Sequence, residues 1–119
     1  MQNTLGRVAV LAAMTCLYPV LRLEAHAILR SAAPASNEVV HGATVRVLLQ
    51  FSSRIDVKRS RLILLLPDGG ERVLLVDQPS PDTVRSDVAG LEPGRYLLRW
   101  QVLADDGHIT RGELPFSAQ

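Results

Sequence analysis

Three histidines, His26, His41 and His108, are the side chains of this 119-residue chain best suited to chemistry. His108 closes Asp105-Asp106-Gly107-His108, directly after an alternating run from Tyr96 to Leu103. Asp106 and His108 stand two residues apart, so in extended chain both side chains leave the same side. The glycine between them permits a tight turn that aims a carboxylate and an imidazole at one point. By spacing alone, Asp-Gly-His reads first as a turn closed by an Asx-type hydrogen bond. His26 differs in kind if processing makes it the first residue, because it then offers an α-amine and an imidazole together. An α-amine with a pKa of about 8 yields its proton to a metal more easily than a lysine does. Amine, two imidazoles and a carboxylate form an N3O set, and tetragonal nitrogen and oxygen ligation is the preference of Cu(II). Soft Cu(I) wants thiolates or thioethers, and Met1, Met14 and Cys16 all precede His26.

The other candidates are weaker. His41 beside Gly42 reads as a surface or loop residue. Asp105 replaces Asp106 only if the turn slips by one position, and otherwise faces solvent near the pair. Arg99 and Arg111 flank the segment; a solvated face is the expected role, with orientation of Asp106 as the alternative. No Gly-x-Ser-x-Gly elbow surrounds any serine, so covalent hydrolase chemistry has no support. Asp68-Gly69-Gly70 lacks the lysine and helix of a phosphate loop and reads as a hairpin turn.

Whether His26 leads the chain depends on the N-terminus. Arg7 is followed by the 14 uncharged residues Val8 to Leu21, short of the roughly 20 a membrane-spanning helix needs. A basic start, an apolar stretch and small residues beyond it make a secretory signal peptide. The small-residue rule favours Ala25-His26-Ala27, which cuts before Ile28 and discards His26; cutting after Ala25 makes His26 the first residue. Processing after Ala25 leaves 94 residues (26–119) with 11 basic and 11 acidic side chains, and no cysteine or methionine. A domain of that size without disulfides depends on its hydrophobic core and on any bound metal.

The elements that must position these residues are strands. Of the chain, 47% is hydrophobic but only 4% aromatic, so aliphatic side chains build the core. A charged fraction of 21% with net charge +1 argues against a disordered polyelectrolyte and against nucleic acid as a partner. Ala43–Phe51 places Val45, Val47, Leu49 and Phe51 on one face. Arg61–Leu66 and Glu71–Val76 flank Pro67-Asp68-Gly69-Gly70 as a hairpin. Gln78–Asp82 reads as a loop, Thr83–Val88 as a modest strand, and Arg95–Leu103 as a long one. Gly112–Ser117 closes the chain. Ser52–Ser60 reads as a solvated, irregular segment, and Trp100, Tyr96 and Phe116 as core. The fold class is all-β, a single small sandwich or barrel, with Gly94-Arg95-Tyr96 suggesting the tyrosine corner of Greek-key sandwiches.

With these residues in place the sequence resembles the bacterial copper resistance CopC family. The resemblance rests on His26-Ala27-x-Leu29-x-Ser31-x-x-Pro34-Ala35, on Val47-x-Leu49-x-Phe51-Ser52, and on the C-terminal pattern. That pattern is Pro93-Gly94-x-Tyr96-x-x-x-Trp100-x-Val102-x-x-x-Asp106-Gly107-His108-x-x-x-Gly112-x-x-x-Phe116. It implies a periplasmic Ig-like Greek-key domain, cupredoxin-like in shape, over residues 26–119, behind a signal peptide over residues 1–25. It implies a Cu(II) site formed by His26 through amine and imidazole, by Asp106 and by His108, and hence cleavage after Ala25. The expected role is a carrier or buffer in copper homeostasis and resistance, not an enzyme. The mature chain is expected to be a monomer without membrane insertion, partnered by copper ion and by an inner-membrane copper transporter of the CopD type. Some family members carry a Met-rich loop for Cu(I), which this chain lacks. Two other classes compete: a copper oxidase or monooxygenase built on an N-terminal histidine brace, and a metal-free Ig-like interaction module. The brace enzyme needs an open copper face and a broad substrate surface, for which a domain with one tryptophan has little room.

Overall fold

The computed structural model describes residues 27–119. The expected leader, its Cys16 and the candidate ligand His26 lie outside the described residues. Nine strands follow in chain order among the described residues: β1 (Leu29–Ala33), β2 (Val39–Val40), β3 (Val45–Phe51), β4 (Ile55–Leu65), β5 (Glu71–Val73), β6 (Asp77–Ser80), β7 (Thr83–Val88), β8 (Gly94–Ala104) and β9 (Ile109–Ala118). They form a four-stranded sheet, β1-β3-β7-β6, and a five-stranded sheet, β2-β9-β8-β4-β5. Every pairing is antiparallel except that of β2 with β9. The sheets face each other as a sandwich and do not close into a barrel.

Alternation decides which side chains meet between the sheets. Val47, Leu49 and Phe51 of β3 point inward against Leu62 and Leu64 of β4 and Leu98, Trp100 and Val102 of β8, all buried. Burying a side chain of this size contributes about 1.5–3 kcal/mol. Phe51 meets Trp100 edge-on, with centroids 6.5 Å apart, and Tyr96 stacks on Phe116 at 5.4 Å. The expected tyrosine corner is present: the Tyr96 hydroxyl donates to the Glu92 carbonyl at 2.6 Å, fixing the turn that launches β8.

Three segments depart from the sequence expectation. Ser52–Ser60 is not wholly irregular, since β4 begins at Ile55 and its register against β8 shifts between Asp56 and Arg61. Ser60 makes the irregularity tolerable, because its hydroxyl donates to the Asp56 carbonyl at 2.7 Å and accepts the Leu103 N–H at 2.9 Å. A side chain thus supplies hydrogen bonds that the broken ladder cannot, which charge patterning alone does not reveal. Glu71–Val76 pairs only as far as Val73; Leu74 turns into the core and its N–H reaches the Leu62 carbonyl at 3.0 Å. The chain then crosses to the other sheet as β6, where a loop was expected. Pro79 is compatible with β6 because that strand lies at a sheet edge, where a missing N–H leaves no partner unsatisfied. The short Leu29–Ala33 segment and the two-residue β2 carry no alternation strong enough to mark them as strands.

Candidate metal centre

The β8–β9 hairpin presents Asp106 and His108. Asp105–His108 closes it through the Ala104 N–H to the His108 carbonyl at 2.8 Å and the Gly107 N–H to the Ala104 carbonyl at 2.9 Å. Gly107 adopts φ +91°, a left-handed conformation that a side chain would strain. Asp106 Oδ1 accepts the His108 N–H at 3.0 Å, so the expected Asx-type bond is present. The second oxygen, Oδ2, lies 3.1 Å from His108 Nδ1. Turn closure and convergence of the two side chains are therefore one arrangement, and both side chains remain substantially exposed, at 34% and 51%. The His108 backbone N–H, and then its ring, hold the Asp106 carboxyl below the usual carboxylate range. Asp106 is thus anionic at neutral pH, as a metal ligand must be.

That spacing fits metal ligation as well as it fits an ion pair. First-row divalent metals bind nitrogen and oxygen at about 2.0–2.1 Å, so two ligands at right angles in a square plane lie about 2.9 Å apart. A 3.1 Å pair needs a movement of only a few tenths of an ångström.

The N-terminal strand arrives at the same end of the sandwich. Ala27 is fully buried. The Ile28 N–H donates to Ser52 Oγ at 2.8 Å, and the Ser52 N–H returns to the Ile28 carbonyl at 2.8 Å. Two residues on, the Arg54 carbonyl accepts the Asp105 N–H at 3.0 Å. The Ser52–Arg54 loop therefore ties the start of the described chain to the hairpin bearing Asp106 and His108. This bridging loop is the part that sequence reasoning missed; the signal was Ser52-Ser53 immediately after a clear strand.

Among the described residues no three His, Cys, Asp or Glu side chains converge as a metal site. Asp106 and His108 come together; His26 lies outside the described residues. His41 is exposed, and its neighbour Gly42 donates to the Gln119 carbonyl at 3.0 Å, so it sits beside the far end of β9. The length of β9 separates it from His108, in keeping with a surface role. Asp105 faces a shallow hollow with Arg54 and Gln78. Arg99 pairs with Glu113 at 3.3 Å and Arg111 bonds Gln101 Oε1 at 3.0 Å, so these two lie on the solvated sheet face and do not orient Asp106.

Comparison with known proteins gives this geometry a family. The sequence model of the CopC domain matches residues 29–119. This chain belongs to the CopC domain family. The match covers the whole sandwich and starts three residues after His26. Among solved structures, CopC from Methylosinus trichosporium OB3b superposes with a TM-score of 0.71 at 24% identity, covering 79% of this chain and 94% of that one. PcoC from Escherichia coli, described as a methionine-rich copper resistance protein, superposes with a TM-score of 0.62 at 22% identity, covering 79% and 99%. Protein YobA of Escherichia coli strain K12 is 29% identical over 99 residues, 80% of each chain. Unlike the methionine-rich PcoC, this CopC-family domain has no methionine after Met14.

Proposed function

We propose that this protein is a periplasmic Cu(II) carrier or buffer serving copper homeostasis and resistance. Its cargo is held by the α-amine and imidazole of His26, the carboxylate of Asp106 and the imidazole of His108. The observation that carries this reading is the 3.1 Å approach of Asp106 Oδ2 to His108 Nδ1 at the end of the sandwich where β1 begins. The described chain begins at that end with the buried Ala27, the residue that follows His26 in sequence. Uptake of the cargo would displace protons from the α-amine and from any protonated imidazole. Nitrogen and oxygen donors without sulfur favour Cu(II) over Cu(I). Four protein ligands leave no open equatorial position for substrate, which supports transport or storage and not catalysis. Export by a signal peptide over residues 1–25 is part of the proposal, as is hand-over to a CopD-type transporter in the inner membrane.

The test begins with the mass of the exported protein, which is expected to place His26 first. Cu(II) titration and EPR then compare that protein with a form carrying one extra residue before His26. Every side chain is unchanged, yet the chelate is lost, so affinity should fall strongly and the tetragonal spectrum should change. Equal affinity and identical EPR parameters in the two forms would refute the N-terminal chelate. Failure of the protein to retain Cu(II) through desalting would favour the metal-free Ig-like module.

A further inference from the structure

The outer faces of the two sheets treat their arginines differently. On the four-stranded sheet Arg46 meets Asp87 at 2.8 Å and Arg85 meets Asp77 at 2.7 Å, so the guanidiniums of its two interior strands, β3 and β7, are neutralised. On the five-stranded sheet Arg61, Arg95, Arg99 and Arg111 occupy outward positions, and only Arg99 has a carboxylate partner, Glu113 at 3.3 Å. Arg61 and Arg111 stand on either side of Gln101 in one cross-strand row. Their backbones are about 10 Å apart, two inter-strand spacings. Arg111 spends its Nε–H on the neutral Gln101 amide oxygen at 3.0 Å, leaving its charge uncompensated.

A groove of about 360 Å³ lies among these arginines, and Ile63, Trp100 and Gly112 contribute to its lining. Gly112 has no side chain, and the Trp100 ring occupies the space its Cβ would take. That contact lies on the inner side of the sheet, so on the outer side the Ile63 side chain is the groove's apolar floor within a rim of Arg61, Arg99 and Arg111. Residues 26–119 carry equal numbers of basic and acidic side chains, so this positive excess is local. Its complement is a ligand with carboxylates beside an aliphatic group, because guanidinium forks bind carboxylates in bidentate fashion. The groove is centred on the outer face of β8, which is paired on both sides along the Arg61–Gln101–Arg111 row, so recognition on this face uses side chains. A lipid surface is flat and does not reach a recessed floor, whereas the side chain of a protein segment does.

We infer that the outer face of β4, β8 and β9 is a docking groove for an acidic segment of a partner protein, with two carboxylates flanking an aliphatic side chain. The Cu(II) reading is not needed for it. The probe is the extended peptide acetyl-Glu-Ser-Leu-Ser-Glu-amide, whose alternate positions place two carboxylates and a leucine on one face. Heteronuclear NMR of the labelled protein follows its titration. Saturable shifts should centre on the amides of Arg61, Arg99 and Arg111 and on the Ile63 methyl groups. Replacing both glutamates by glutamine, or making the Arg61→Gln/Arg111→Gln variant, should weaken binding at least about tenfold, as loss of a charge-assisted contact does. Arg46→Gln, on the opposite sheet, should leave it unchanged. Circular dichroism confirms that the variants fold. Equal binding of the glutamine peptide, shifts centred elsewhere, no saturable shifts at all, or co-sedimentation with phosphatidylglycerol vesicles in place of peptide binding would each overturn the inference.

Discussion

Gly112→Ala tests how tightly β9 is pressed against the single tryptophan. A Cβ at this position would stand 2.2 Å from Trp100 Cζ2, 2.6 Å from Cε2 and 3.0 Å from Cη2. Ordinary contact begins near 3.4 Å, so the ring must retreat by about 1.2 Å in an interior packed at crystal-like density. Phe51 stands edge-on to the ring on its inner side, with centroids 6.5 Å apart, and Phe51 is itself buried. Retreat therefore repacks at least two aromatic side chains. Trp100 Nε1 has no hydrogen-bond partner among the described residues, so the move breaks no hydrogen bond and the cost is steric. Overpacking of this kind costs about 1–3 kcal/mol, and a domain of this size loses about 4–8 °C of Tm per kcal/mol, giving a fall of about 5–20 °C. Thermal unfolding by circular dichroism measures it, while the urea midpoint should fall with m unchanged. Trp100→Phe should partly rescue Gly112→Ala, so the two effects should be non-additive. A Tm within about 2 °C of the parent together with an unchanged tryptophan emission spectrum would refute the close approach.

Tyr96→Phe removes the hydroxyl that reaches the Glu92 carbonyl and should cost about 1–2 kcal/mol in urea unfolding. Leu98→Ala empties a fully buried position and should cost about 2–5 kcal/mol in the same assay. The carboxyls of Asp77, Asp82 and Asp106 are all held below 3.8, chiefly by hydrogen bonds from Arg85, from Thr83 and from the His108 backbone respectively. The stability they contribute is therefore complete above the unfolded carboxyl pKa and lost as pH falls through the lower folded values. The metal-free Tm should hold down to about pH 5 and drop below about pH 4, with a decline already under way above pH 6 counting against these carboxylates as the cause. The Cu(II)-dependent rise in Tm should instead shrink between about pH 7.5 and 5, as protons compete for the amine and imidazoles; an equal rise at both values would exclude those ligands. Among ligand variants, His108→Ala should lose Cu(II) affinity strongly and Asp106→Ala less, since water can replace a single oxygen, while His41→Ala stays neutral in isothermal titration.

Long alternating strands were legible because the hydrophobic period is a local property. Val45–Phe51 and Gly94–Ala104 follow it residue by residue, and Thr83–Val88 matches the structure end to end. The edges were not legible. β1, β2 and β6 are short and largely exposed, so their strand character comes from a neighbour's hydrogen bonds and not from their own pattern. The Ser60 bridge across the β4 irregularity escaped for the same reason: its partners, Asp56 and Leu103, are set by tertiary register. At the site, the spacing of Asp106 and His108 foretold both the Asx bond and the convergence. Of the Ser52–Arg54 link, only the Ser52 hydroxyl that accepts the Ile28 N–H leaves a mark in the sequence, as Ser52-Ser53 after a clear strand; the bonds to the Ile28 carbonyl and the Asp105 N–H use backbone groups that every residue carries.

The direction of β9 also determines how the protein can be handled. Its ten residues run from the His108 end to Ala118, a span of about 30 Å at roughly 3.3 Å per residue. Gln119 is clasped at the opposite end, its N–H to the Val40 carbonyl at 2.9 Å and its own carbonyl to the Gly42 N–H at 3.0 Å. Anything attached beyond Gln119 thus leaves from the pole remote from Asp106 and His108. A tether placed there would mount the domain on a sensor surface with the proposed copper end facing the flow, and a fluorophore there would stand clear of the cargo.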